Sequence, residues 1–90
     1  MKIAPSDRVL EIGCGPGWVT PTLCAATPNG SVIAADLQHE MVTICRARTA
    51  DAANVVVVRA DAMALPFADQ SLDALLSVEA IAMRPFNDCV

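Results

Sequence analysis

Short, almost wholly apolar runs alternate along this chain with longer segments whose apolar residues recur every three or four positions. RVLEI, residues 8–12, runs into glycine and predicts a buried strand. WVTPTLCAA (18–26) has helical length and is closed by TPNG, a turn cluster containing Asn29-Gly30. SVIAAD (31–36) predicts a second strand, and QHEMVTICRARTA (38–50) a second helix with Met41, Ile44, Cys45 and Arg48 at helical spacing. NVVVVRAD (54–61) predicts a third strand dense in valine, and LDALLSV (72–78) a fourth, beyond the loop MALPFADQS. Pro21 falls inside the first helical segment; a proline costs little in the first turn and ~3 kcal/mol further in, so that helix is expected to begin close to it.

The order β-α-β-α-β implies a parallel sheet in a doubly wound α/β arrangement, and VVVV suits a strand covered on both faces. Right-handed crossovers in the order three, two, one place both helices on the same face. The other face is then expected to be bare, and the outer edge of the fourth strand unpaired. No repeat, low-complexity segment or linker interrupts the pattern, which predicts one folding unit.

Composition narrows the function. A chain of 90 residues buries only roughly 60–65% of its unfolded surface, so a compact core is marginal. At 54% apolar with a mean hydropathy of +0.47 it is not disordered by composition. A net charge of −4 and a pI near 4.6 argue against a nucleic-acid backbone as partner. Cys14, Cys24, Cys45 and Cys89 form no C-x-x-C pair and have no clustered histidines, which points away from zinc and disulfides and toward a reducing, cytoplasmic setting. No apolar run suits a signal segment or a membrane span. His39, the lone histidine, lacks partners at metal-ligand spacing and reads as a solvated helical residue.

In such sheets ligands bind beyond the carboxyl ends of the strands, beside the first strand, which is where VLEIGCGPGW places three glycines. Gly13 lets the chain turn off the strand, Gly15 removes a side chain where a ligand can press on the backbone, and Gly17 leaves room where helix and strand meet. A tight turn alone is the plainer explanation, but three glycines at this spacing exceed what a turn requires.

The string Glu11-x-Gly13-x-Gly15-x-Gly17, within RVLEIGCGPG, resembles the first motif of class I S-adenosylmethionine-dependent methyltransferases. VIAADLQHEMV is similar to the family's second motif, and ADAMALPFADQSLDALLS to the Asp-Ala…Leu-Pro-Phe…Asp run of the methyltransferase type 11 domain. The resemblance covers residues 6–79 and implies a Rossmann-like doubly wound sheet, here truncated to about four strands in the order 3-2-1-4. It implies S-adenosylmethionine as cofactor, with Gly13, Cys14, Gly15, Pro16 and Gly17 passing beside its methionine and ribose parts. It also implies that Glu11 orients this loop and helps to hold the methionine ammonium, and that Asp36 accepts both ribose hydroxyls; Leu37, like Trp18, either flanks the cofactor's ring and ribose or is a core or helix-start apolar residue. Asp61 and Ala62 match the pair that meets the adenine amino group and a ring nitrogen. Each acidic residue has a plainer reading: Glu11 as a strand-end glutamate, Asp36 as a helix cap, Asp61 as a loop cap. Trp18 flanks the cofactor or packs at a helix start, and Met41 and Met63 read as packing.

The implied chemistry is methyl transfer to a small organic acceptor, with no catalytic base assignable. Family members continue with further strands where this sequence runs as SVEAIAMRPFNDCV, so residues 1–90 are expected to form only part of a methyltransferase domain. A non-catalytic module, self-association, or completion by another chain is the alternative. A nicotinamide dinucleotide fold is a third reading, but its G-x-G-x-x-G motif requires glycine where this chain has Trp18.

Overall fold

The computed structural model describes residues 3–61, 72–77 and 83–84. Its elements are β1 (Arg8–Ile12), α1 (Thr20–Ala26), β2 (Ser31–Asp36), α2 (His39–Arg48), β3 (Val55–Arg59), β4 (Ala74–Ser77) and β5 (Met83–Arg84). They build one sheet in the order β3-β2-β1-β4-β5. The first four strands are parallel, in the order read from the sequence. β5 corrects one expectation: it runs antiparallel to β4, Met83 opposite Leu76 and Arg84 opposite Leu75, so the outer edge of β4 is paired there.

The register sorts side chains into two faces. Val9, Val32, Val55 and Ala74 align in one row, with Glu11, Ala34, Val57 and Leu76 in the next row of the same face. α1 packs Leu23 and Cys24 onto Val9, Val32, Ala74 and Leu76. α2 packs Val42 and Cys45 onto Ala34 and Val57. Both helices therefore lie on one face, as right-handed crossovers require. The second face carries Leu10, Ile12, Ile33, Ala35, Val56, Val58 and Leu75. Leu10 and Ala35 are buried there, while Val56 is 58% exposed, and no helix among the described residues covers this face.

Pro21 stands in the first turn of α1, where its missing N–H has no intrahelical partner to lose. At the other end Asn54, expected as the first residue of a strand, instead turns its amide back. Its Nδ2 donates to the carbonyls of Cys24 (3.2 Å) and Thr27 (2.7 Å), a second donor for carbonyls that also accept the Thr27 and Gly30 N–H groups. α2 buries Val42 and Cys45 and leaves Ile44 40% exposed. Arg46 donates from Nε (3.2 Å) and Nη2 (2.9 Å) to the Val57 carbonyl, tying α2 to the edge strand.

Candidate functional site

At the carboxyl ends of β1, β2 and β3 lies a cavity of about 480 Å³, lined by Ile12, Gly13, Gly15, Ala35, Asp36, Leu37, Gln38, Met41, Ala60 and Asp61. The glycine loop forms one wall. Gly13, Gly15 and Gly17 have φ of 65°, 58° and 89°, the left-handed region that favours glycine. A β-carbon on Gly15 would meet nothing within 4 Å, so the space before it is open to a ligand. A β-carbon on Gly17 would lie 3.1 Å from Cys45 Sγ and 3.3 Å from Cys45 Cα, so this glycine lets the loop sit down on α2.

Asp36 joins the loop to the second wall. Its Oδ2 accepts the Gly15 N–H (2.9 Å) and its Oδ1 accepts the Gln38 N–H (2.8 Å). It thus closes a turn just ahead of α2, whose N-cap is Gln38 and not Asp36 as the capping reading expected, and it anchors the loop. Each carboxylate oxygen retains a further lone pair, so the group can still accept hydroxyl donors from the cavity. The Cys14 N–H donates to the Ala35 carbonyl at 3.0 Å, which continues the attachment of loop to β2.

Glu11 sits elsewhere. It does not line the cavity; it is fully buried on the helix-bearing face, where its Oε1 accepts the Thr20 hydroxyl at 2.5 Å and its Oε2 has no partner among the described residues. Burial pushes its pKa up, opposed in part by the Thr20 hydrogen bond. The Cys14 thiol is buried and likewise pushed up, first by burial and then by neighbouring Cys45. Pro16 and Gly17 belong to the loop but not to the cavity lining. Ala62 lies outside the described residues.

Of the sequence-expected residues, the structure brings Gly13, Gly15, Asp36, Leu37 and Asp61 to one cavity. Trp18 is not among them: it is 70% exposed, with the Arg48 guanidinium 4.6 Å from its ring centroid. Gln38 and Met41 join the lining although the sequence singled out neither as a site residue. Their signal was positional, since they lie at the N-cap and in the first turn of the helix that follows β2. His39 is exposed, and no metal-binding cluster occurs among the described residues.

Residues 9–89 match the model of the family described as "Methyltransferase domain". The chain belongs to this methyltransferase family. It is 35% identical over 74 residues to demethylmenaquinone methyltransferase of Staphylococcus aureus, an alignment covering 81% of this chain and 31% of the relative. The chain thus spans about a third of the length of the curated relatives it matches. A structure of a SAM dependent methyltransferase from Aquifex aeolicus superposes with a TM-score of 0.74 at 27% identity, covering 82% of this chain and 41% of that one. The putative methyltransferase in complex with the Trm112 methyltransferase activator, from Haloferax volcanii, gives 0.75 at 31%, covering 86% and 34%. Fold and family are those of S-adenosylmethionine-dependent methyltransferases. No helix among the described residues is long and apolar enough to cross a membrane.

Proposed function

We propose that the cavity binds S-adenosylmethionine and that residues 1–90 form the cofactor-binding portion of a methyltransferase acting on a small organic acceptor. One observation carries this reading: a carboxylate, Asp36, stands at the junction of a left-handed glycine loop and a helix start, with open space before Gly15. A planar two-oxygen acceptor matches a vicinal diol such as the ribose of the cofactor. Asp61 lines the same cavity two residues beyond β3 and is the proposed acceptor of the adenine amino group, which its lining position supports. Ala62 follows it and completes the proposed adenine pair. Glu11 acts from behind the loop and Cys14 within it, with Pro16 and Gly17 setting the path of the chain.

When bound, the cofactor supplies an electrophilic methyl group on a cationic sulfur. The chain's contribution is to hold and orient it, and proximity and alignment are worth up to ~7–11 kcal/mol in such reactions. No described residue is assigned as a base. The small acceptor is supported by the similarity to a demethylmenaquinone methyltransferase, and completion by a second chain by the complex with the Trm112 activator. Buried free thiols at Cys14, Cys24 and Cys45 support a reducing, cytoplasmic setting.

The dinucleotide reading is disfavoured by the loop. Where G-x-G-x-x-G needs its third glycine the chain has Trp18, which is 70% exposed and outside the cavity lining. Thermal unfolding of the chain with each ligand decides between them: S-adenosylhomocysteine is expected to raise the melting temperature and NAD to leave it unchanged. Stabilisation by NAD alone would overturn the proposal.

A further inference from the structure

We propose that Thr20 is a positioning residue for the cofactor loop, bracing it from behind through Glu11. The inference rests on the cavity being the cofactor site. Glu11 stands at the end of β1 and Thr20 at the first position of α1, so their side chains meet across the two ends of the glycine loop. Both are fully buried, and the 2.5 Å hydrogen bond is the only one made by the Glu11 carboxyl among the described residues.

The brace extends sideways. The Cys45 thiol of α2 donates to Thr20 Oγ1 at 3.5 Å, and the same cysteine carries Gly17 against it. From the front, the loop is held by the Gly15 N–H on Asp36, whose carboxylate a bound diol would share. The back attachment is then what keeps Gly13 and Gly15 at the cavity wall while the front one adjusts.

Two substitutions separate positioning from bulk. Thr20→Val keeps the shape and removes the hydroxyl; Thr20→Ser keeps the hydroxyl and removes a methyl group. Affinity for S-adenosylhomocysteine, read by titration calorimetry, is expected to fall about tenfold in Thr20→Val, the effect of one lost buried hydrogen bond, and to recover in Thr20→Ser. In the ligand-free chain, hydrogen exchange at the Gly15 and Gly17 amides is expected to accelerate in Thr20→Val more than at Ile33 and Ala34 of β2. Equal acceleration at loop and sheet, or unchanged affinity, would overturn the brace. Failure of the unsubstituted chain to bind would overturn the cofactor site instead, and the exchange comparison would still decide the brace.

Discussion

Asp36 carries two duties at once, and the balance between them sets what its removal does. Its oxygens already hold the N–H groups of Gly15 and Gln38, so Asp36→Ala unties the loop and takes away the proposed diol acceptor together. S-adenosylhomocysteine affinity is expected to weaken by on the order of 1.5–3 kcal/mol, the range for charge-assisted hydrogen bonds. Unchanged affinity in calorimetry of the folded variant would reduce Asp36 to a residue that shapes the loop and the turn ahead of α2. Glu11 gives a prediction in pH. Burial raises its pKa, so the folded state holds the proton more tightly than the unfolded chain. Its contribution to stability is complete below the ordinary glutamate range and is lost as pH rises through the raised value. Unfolding by denaturant at a series of pH values is expected to show this decline, and Glu11→Gln to flatten it; a decline of the same size in Glu11→Gln would assign it to another group.

At the scale of elements, the helices are short and depend on the sheet. α1 has seven residues, too few to persist by propensity alone, and is held by Leu23 and Cys24 on Val9, Val32 and Ala74 and by the Asn54 amide at its end. Leu23→Ala is therefore expected to cost about 2–5 kcal/mol, a large share of the stability of a domain this small, and to lower the thermal midpoint steeply. A shift within error would show that α1 is not part of the cooperative unit. The same dependence explains what the sequence made legible. Continuous apolar runs bounded by turn residues marked β1 to β4, because strands buried in a parallel sheet need apolar side chains whichever face they meet. Helix faces were harder: Ile44 fits the apolar spacing of α2 yet is 40% exposed, since packing rather than periodicity chose Val42 and Cys45. β5 has two residues, too few for any alternation to register.

Across the whole molecule, the crossover rule placed both helices on one face and left Val56, with Ile33, Val58 and Leu75, on the other. An apolar surface of this kind is expected to bind a hydrophobic dye and to promote self-association, both reduced by Val56→Glu; a monomeric chain without dye binding would show this face to be covered. The site was legible in two steps. The resemblance named Asp36 and Asp61 beside the glycines, and the strand pattern said where they meet, because a parallel sheet brings the ends of its strands to one edge. The placement of Glu11 was not read from the motif, although it lies two residues from Val9 and so shares the face on which α1 packs. The central claim is that one cavity at this edge holds the cofactor. Its most direct test is an amide-resolved NMR titration of the chain with S-adenosylhomocysteine. The account predicts shifts concentrated at Gly13, Gly15, Asp36, Leu37, Gln38 and Asp61. Shifts gathered instead around Cys24, Arg48, Asp51 and Asn54, which line the second cavity of the fold, or no shifts at saturating ligand, would contradict it.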